Sequence, residues 1–489
     1  MSRHLRFRAL APLVAAGLLL SRAAPLAAQD SLTLGQAIAL AQERGHQAHA
    51  AEAALEAARY RKRSFFSRLL PQLSLTGSLP AYNRSIIQVV QPDGTTLFRP
   101  QQQTNASLTM QLTQKLPLTG GDLFVSSSLA RLRVTGQQNI ETWSSTPFAI
   151  GLRQGILRPN LTAWDRREQN VQSELDERSY REALEDVALG VTGLFFDAYA
   201  ARVALRNATA NAATNDTLYR LNQGRFEVGK IGENDLLQSE LALLRSRTSL
   251  DGARLEYDRA VAALRLALNL PADAPLAVAV AATMPTFEPD TAVAVSQALR
   301  NRAAVSGVEL QDVQARRRVT EAKLANGVGA TLQASFGYNA TAPEAGLAYQ
   351  NLLEARQFTL SVQVPLWQWG AHGEDVRAAE AERDQTESLA QSTLEQTAHE
   401  AHYAALQLSQ AGRSVTLSAK ADTVAGKRFE VAYNRYVIGR ISIDNLYIAQ
   451  NEKDQALSQF VQALRGYWQA YYRLRRVTLF DFERGEAIR

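Results

Sequence analysis

The feature that most constrains the fold of this chain is an internal duplication. Residues 224–238 recur as residues 434–448, 210 positions later, and Arg, Gly, Ile and Leu are identical at matching positions. The same offset pairs residues 148–154 with 358–364. Farther towards the N-terminus the apparent offset is 259, which leaves 49 additional residues (259 − 210) between the two strand regions of the first copy. We therefore predict one structural unit built twice.

Both copies of the unit have the same predicted order of elements: helix, strands, long helix, returning helix. The first copy, residues 29–271, has predicted helices over 33–69, 162–222 and 233–269, with strands within 71–157. The second copy, residues 291–489, has predicted helices over 291–325, 374–434 and 443–477, with strands within 330–366. Residues 272–290 form the predicted linker.

The two longest predicted helices carry an apolar seam with alternating spacings of three and four residues. The first seam is Leu184, Val187, Val191, Leu194 and Ala198, and the second is Leu394, Ala398, Ala401, Ala405 and Leu408. This spacing is typical of a coiled coil. A helix of about 60 residues is roughly 90 Å long. Because such a helix cannot be buried in a compact globule, we expect these helices to pack on each other and on further copies of the chain.

The predicted strands alternate apolar residues with small or polar ones, as in residues 72–79, 107–114, 331–338 and 358–365. This pattern is typical of a transmembrane β-barrel strand, and also of the edge of a water-exposed β-sandwich. Aromatic residues near these segments fit the interfaces of a bilayer: Tyr82, Trp143, Phe148, Phe336, Tyr338, Trp367 and Trp369. We expect four barrel strands per chain, with six as the alternative if the 49 additional residues form a hairpin rather than a loop.

Residues 1–28 have the layout of a secretory signal peptide: basic residues, a 12-residue apolar run and small residues before Gln29. Beyond this leader no stretch approaches 18 consecutive apolar residues, so we expect any membrane insertion to be as β-structure. Four of the 53 basic residues lie in the leader, and the remaining 49 face 48 acidic ones, which gives nucleic-acid binding no compositional support. The absence of Cys excludes disulfides, thiol catalysis and a lipid anchor on cysteine.

Motifs for catalysis or cofactor binding are incomplete. Residues 224–230 resemble a phosphate-binding loop, but Ile231 stands where Ser or Thr is required. His399 and His402 are one residue closer together than the histidines of zinc proteases, and His46 and His49 repeat that spacing. We therefore predict no catalytic site, no cofactor and no metal site.

The turns that join the long and returning helices are more informative. Gly229 and Gly439 are predicted to adopt the left-handed conformation that ends a helix, and Asp235 and Asp444 lie near the positive ends of the returning helices. Helix capping alone explains these residues. A second interpretation is that the two turns form the narrow tip of a tube, closed by charge pairs of the two aspartates with Arg225, Lys230, Arg435 and Arg440.

The leader, the duplicated plan and the twin turns resemble the TolC-type outer-membrane efflux channel family over essentially the whole chain after the leader. The resemblance implies a mainly α-helical homotrimer, in which the strands of all copies close one barrel in the outer membrane and the helices form a tunnel across the periplasm. Channels of this family have no catalytic site and are closed at the periplasmic tip. They open when a periplasmic adaptor coupled to an inner-membrane pump engages them, in drug or metal efflux or in type I protein secretion.

The resemblance also implies roles for individual residues. Gly229 and Gly439 match the tip glycines that adaptors recognise, Asp235 matches an acidic tip position, and Tyr436 matches a tyrosine of the gate network. With these we group Lys230, Arg440 and Asp444 as the predicted gate and adaptor contact. The second turn departs from the family, because Asn445 and Ile448 stand where its best-known member has two acidic residues.

Two other classes of protein remain as alternatives. The first is a periplasmic coiled-coil adaptor or scaffold without a pore, which should contain a lipoyl-like β-hairpin domain that the sequence does not show. The second is a secreted helical enzyme, for which the sequence offers no convergent catalytic set. The sequence does not distinguish efflux from protein secretion.

Overall fold

The computed structural model describes residues 32–135, 139–279, 284–285, 287–325 and 327–488. The predicted leader, residues 1–28, lies outside the described residues, as does part of the predicted linker. The first half contains α1 (Leu34–Arg44), α2 (His46–Arg68), β1 (Gln72–Val90), β2 (Thr96–Leu116), β3 (Gly121–Thr135), β4 (Ile140–Ile156), α3 (Leu161–Glu227) and α4 (Glu233–Ala267). The second half contains α5 (Thr291–Asn301), α6 (Ala303–Ala325), β5 (Gly329–Ala342), β6 (Leu353–Gln363), α7 (Ala371–Val437), α8 (Ile443–Thr478) and a short ribbon of β7 (Phe480–Asp481) and β8 (Glu486–Ala487).

The duplication is visible in the element lengths. Helices α3 and α7 have 67 residues each and begin 210 positions apart. Upstream of them, α1 and α5, α2 and α6, and β1 and β5 all begin 257 positions apart, so the offset of 259 is wrong by two residues. A shift of two residues keeps every strand side chain on the same face of a sheet, which is why the alternating pattern did not reveal the error. The first half therefore carries 47 additional residues (257 − 210).

Six strands form one antiparallel sheet in the order β1-β2-β3-β4-β5-β6. The expectation of four strands is wrong, and the alternative of six is right. Since β1 corresponds to β5 and β4 to β6, the additional residues supply the hairpin β2–β3, which pairs without interruption from Gln102 opposite Thr135 to Leu116 opposite Gly121.

The first predicted helix of each half is divided in two. The breaks lie at Gly45 and Arg302, both of which have extended backbone conformations. At the second break, the Glu182 carboxylate accepts a hydrogen bond from the backbone N–H of Ala303 at 2.8 Å and lies 3.4 Å from the Arg302 guanidinium. A carboxylate from α3 thus caps the first turn of α6 and fixes its direction.

The main hydrophobic core lies where the short helices α1 and α5 pack on the long helices. Phe195, Phe196, Leu264 and Leu474 are its large, fully buried side chains. Small residues such as Ala401 and Ala405, which are both 0% exposed, allow the helices to approach closely. Of the seam predicted for α7, Ala401, Ala405 and Leu408 face the core, whereas Leu394 and Ala398 are only partly buried and lie outside it.

Buried ion pairs connect the two halves of the chain at the level of this core. The Arg475 guanidinium of α8 lies 3.2 Å from the Glu185 carboxylate of α3 and 2.5 Å from that of Asp481. The neighbouring pair of Arg476 and Asp186, at 2.9 Å, is much more exposed. Burial of an ion pair costs desolvation energy, so loss of Glu185 would leave Asp481 as the carboxylate that compensates the largely buried Arg475 charge.

One helix of the described residues, α3, is long and apolar enough to cross a membrane by length and composition. In its most apolar stretch of 18 residues, 44% of the residues are buried within the chain. This stretch contains polar residues, so a count of consecutive apolar residues does not reveal it. Val187, Val191 and Phe195 of this helix are buried in the main core, so we interpret α3 as a core helix.

Candidate functional site

The helical tip, where α3 turns into α4 and α7 turns into α8, is built from two copies of the same turn. Gly229 and Gly439 have φ angles of 70° and 74°, the left-handed conformation that glycine adopts without strain. The N–H of the following residue bonds back across the turn, from Lys230 to the Arg225 carbonyl and from Arg440 to the Arg435 carbonyl, both at 2.8 Å. These bonds satisfy carbonyls at the helix end that would otherwise be unpaired.

Arg225 connects the two turns. Its guanidinium donates hydrogen bonds to the carbonyls of Val437 at 2.8 Å and Tyr436 at 3.4 Å, at the end of α7. It also lies 5.2 Å from the centre of the Tyr436 ring. A cation at the C-terminal end of a helix is stabilised by the helix dipole, so Arg225 ties α3 to α7 through charge as well as hydrogen bonding.

Tyr436 and Asn222 form a buried hydrogen bond directly behind this contact. The Tyr436 hydroxyl donates to Asn222 Oδ1 at 2.6 Å, and the two residues are 4% and 0% exposed. Burial raises the pKa of the Tyr436 hydroxyl above its ordinary value, because the charged phenolate would lose its hydration. The hydroxyl therefore remains a neutral donor over the whole physiological pH range.

A small apolar cluster surrounds this bond and is separate from the main core. It consists of Leu218, Tyr436, Ile443 and Leu446, with partly buried neighbours that include Tyr433. A second polar contact joins the two helical hairpins beside this cluster. In it, Gln238 Nε2 of α4 donates to Asp444 Oδ1 of α8 at 2.5 Å. The tip of one chain is thus held together by an apolar cluster and by polar contacts between its two helical hairpins.

The charge pairs suggested from the sequence are not formed within one chain. Asp444 bonds to Gln238, Arg225 bonds to backbone carbonyls, and Lys230, Arg440 and Asp235 make no ion pair with any residue that the structure describes. Asp235 and Asp444 both lie in the first turns of their helices, where the helix dipole favours a carboxylate, and the N-cap residues themselves are Gly232 and Ser442. Charge pairs between copies of the chain stay a prediction.

Asn222 was missed by the sequence analysis. The position that corresponds to it in the second half, 210 residues later, is an alanine, and the partner that corresponds to Tyr436 is Phe226, so the duplication gives no hint of the bond. The one available signal is a polar residue four positions after Leu218, on the buried face of α3. Such a residue predicts a buried hydrogen bond without naming its partner.

The remaining sequence motifs lie apart from the tip cluster. His399 and His402 both contact the Tyr403 ring on α7, and His49 lies 3.7 Å from Glu52. Within the described ranges no group of three or more His, Asp or Glu side chains could hold a metal ion. Lys230 follows the C-terminal end of α3, where carbonyls rather than N–H groups point outwards, so this turn cannot cradle a phosphate.

The six-stranded sheet has one apolar and one polar face. A single row of paired residues is apolar on five strands, and its sixth member, Arg356 of β6, lies over the Phe336 ring. The five apolar residues are Leu73, Leu112, Val125, Ile150 and Phe336. The adjacent row, on the opposite face, contains only small or polar residues: Ser74, Gln111, Ser126, Ala149, Gly337 and Ala355. A sheet that contacts lipid on one side and water on the other requires this division.

Polar and aromatic residues limit the apolar face at both ends. At the end remote from the helices, Glu141 bonds to Arg131 at 2.8 Å and to Arg133 at 2.7 Å, and Arg131 stacks over Trp143. At the end where the sheet joins α7, Trp367 and Trp369 have ring centres 5.2 Å apart and are 74% and 89% exposed. Aromatic residues at both borders of an apolar band are typical of membrane interfaces.

Comparison with solved structures identifies the fold. The CmeC outer membrane channel of Campylobacter jejuni has a TM-score of 0.66 at 16% identity, over 93% of this chain and 87% of that one. The outer membrane protein VceC of Vibrio cholerae has a TM-score of 0.66 at 14% identity, over 93% and 97% of the two chains. The open state of the Neisseria gonorrhoeae MtrE outer membrane channel has a TM-score of 0.62 at 14% identity, over 91% and 88%.

No protein-family model and no curated protein matches the sequence. At these identities the structural likeness shows the fold alone. The predicted fold class, mainly α-helical with a barrel-type sheet and a duplicated plan, is confirmed by the architecture and by these neighbours.

Proposed function

We propose that this protein is a passive outer-membrane channel, the exit duct of a tripartite efflux or type I secretion system. Three copies would close one barrel in the outer membrane, and their long helices would form a tunnel in the periplasm. The observation that carries the proposal is the division of the sheet into an apolar and a polar face, joined directly to helices of 67 residues. The outer-membrane channels with the same fold support it.

The apolar face favours a channel over a periplasmic adaptor. Many large apolar side chains of the sheet are exposed to solvent in the single chain, among them Leu75 at 69% and Phe358 at 73%. An exposed apolar area of this extent is unfavourable in water and favourable in a bilayer. The polar opposite face would line a water-filled lumen.

The helical tip is the proposed gate. Arg225, Asn222 and Tyr436 hold the two helical hairpins of one chain together, so opening the tip requires these contacts, including the buried bond of Asn222 with Tyr436, to break. Lys230 and Arg440 are exposed immediately beyond the tip glycines and are available to a partner. By resemblance, that partner is a periplasmic adaptor coupled to an inner-membrane pump, which would supply the energy for transport.

Mass and conductance measurements on detergent-extracted protein test the proposal. We expect a homotrimer by native mass spectrometry, and channels with a small closed-state conductance in planar lipid bilayers. A monomer that shows no conductance would refute the proposed duct. Extraction from cells without detergent would instead favour the periplasmic adaptor.

A further inference from the structure

We infer that the additional hairpin β2–β3 belongs to the transmembrane barrel, so that three copies would close a barrel of 18 strands (3 × 6), with β6 of each copy paired to β1 of the next. This inference rests on the trimer of the proposed function. It concerns the width of the duct and the surfaces by which the copies join.

The hairpin shares both faces of the sheet with its neighbours. Its residues Leu112 and Val125 lie in the apolar row between Leu73 of β1 and Ile150 of β4. A hairpin that formed a loop outside the membrane would not need an apolar face in register with the other strands. The alternation therefore places the hairpin within the apolar band.

The two outer strands of the sheet have free edges in the described part of a single chain. Within the apolar band the side chains of these strands are more exposed than their interior neighbours, with Leu75 of β1 at 69% and Phe358 of β6 at 73%, against 38% for Leu112 and 37% for Ile150. Each backbone N–H or C=O left unpaired in hydrocarbon costs several kcal/mol, so the edges must find partners. Because the number of strands per copy is even, β6 and β1 of the next copy run antiparallel, like every other pair in the sheet.

The perimeter of an 18-strand barrel fits the helical tunnel. Four helices of each copy, α2, α3, α6 and α7, begin or end at the sheet, which makes 12 helices in a trimer (3 × 4). At a spacing of about 8–10 Å, 12 helices span a perimeter of roughly 100–120 Å. With a strand spacing of about 4.8 Å and a tilt of about 40°, 18 strands span roughly 110 Å, which lies within that range.

The backbone diameter that follows is about 36 Å, and side chains reduce the bore to roughly 25 Å. Such a bore would admit a polypeptide segment as well as small solutes. The membrane part of the duct would then impose little size selection, and selection would depend on the tip and on the partner that opens it.

Cysteine cross-linking tests the closure directly, because the native chain contains no Cys. Thr359 lies on the polar face of β6, and Ser74, Thr76 and Ser78 lie on the polar face of β1. Each β1 position is replaced by Cys in turn, together with Thr359→Cys, and the membranes are oxidised with copper-phenanthroline. The control pairs Thr359→Cys with Ser126→Cys, on the polar face of β3.

We expect at least one β1 position to give covalent dimers and trimers on denaturing gels, and the β3 control to give none. Cross-links from Thr359 to Ser126 would show a smaller barrel that excludes the first two strands. Cross-links between Ser74→Cys of β1 and Ala149→Cys of β4 would show that these strands pair directly and that the hairpin lies outside the barrel. Either result would overturn the inference. So would the absence of any cross-link in a protein whose trimeric mass has been verified. Loss of the trimer itself would refute the proposed function instead.

Discussion

Replacing Tyr436 with Phe removes the hydroxyl that donates to Asn222 Oδ1 and leaves the rest of the tip cluster in place. The buried Asn222 carbonyl then has no partner, which costs about 1–3 kcal/mol. If the bond breaks when the tip opens, this cost falls on the closed state alone. Since 1.4 kcal/mol is a factor of ten, the ratio of open to closed channels should rise about 5- to 140-fold.

Single-channel recording in planar bilayers measures this ratio as open probability. The matched control is Tyr433→Phe, one turn earlier on α7, because the Tyr433 side chain contacts the same cluster while its hydroxyl bonds to no residue that the structure describes. The double variant Tyr436→Phe with Asn222→Leu should recover part of the closed state, since removing both partners leaves neither member of this hydrogen bond unpaired. Equal open probabilities for the Tyr436 and Tyr433 variants would refute the reasoning.

The hydrogen bond between Tyr436 and Asn222 also predicts how the open probability depends on pH. Burial raises the pKa of Tyr436, so its contribution to the closed state is fully present below the ordinary tyrosine value of about 10 and is lost as the pH rises through the raised pKa. The open probability of the native channel should therefore rise only in strongly alkaline solution. The Tyr436→Phe variant, whose side chain cannot ionise, should lack that component of the rise.

Three further changes test other contacts. Glu185→Ala should cost about 1–3 kcal/mol of unfolding free energy, measured by urea titration of helical circular dichroism in detergent, because the Arg475 guanidinium loses one of its two carboxylate partners. The adjacent, more exposed Asp186→Ala should cost less than about 1 kcal/mol; equal losses would contradict the assignment. Gly229→Ala should accelerate amide exchange in the tip turn about 5- to 30-fold, because the left-handed conformation costs a residue with a Cβ atom roughly 1–2 kcal/mol. The Gly229→Asn variant should have a smaller effect, because asparagine adopts this conformation more readily than alanine. Joint replacement of Asp235 and Asp444 by Ala should raise antibiotic influx into cells with normal trimer levels if charge pairs between copies lock the tip; unchanged influx would leave them as helix caps.

The turns at the tip could be predicted because their determinants are local. A glycine that ends one helix and an acidic residue in the first turn of the next can be recognised within about ten residues of sequence. Gly229 and Gly439 adopt the left-handed conformation that this pattern predicts. The repeat strengthened this prediction, because both turns showed the same pattern. Contacts between the two hairpins could not be predicted in the same way, since Arg225 and Tyr436 are 211 residues apart.

The number of strands was harder to predict from the sequence than the turns, for a different physical reason. The hairpin β2–β3 has no counterpart in the second half, so the repeat gives no template for it. The second strand of this hairpin, β3, includes residues 124–129, in which three consecutive serines weaken the alternation of apolar and polar residues. Only the strand pairing, in which Val125, Ser127 and Leu129 lie opposite Leu112, Met110 and Leu108, places these three residues on the apolar face.

The most direct test of the proposed duct is the water accessibility of alternate residues in one central strand. Single Cys residues are introduced into the Cys-free chain at positions 108–113 of β2 and treated with a charged, water-soluble maleimide in lipid vesicles. A barrel with a water-filled lumen requires labelling at Thr109, Gln111 and Thr113 and protection at Leu108, Met110 and Leu112. Uniform labelling of all six positions would contradict a transmembrane sheet, and uniform protection would contradict a water-filled lumen.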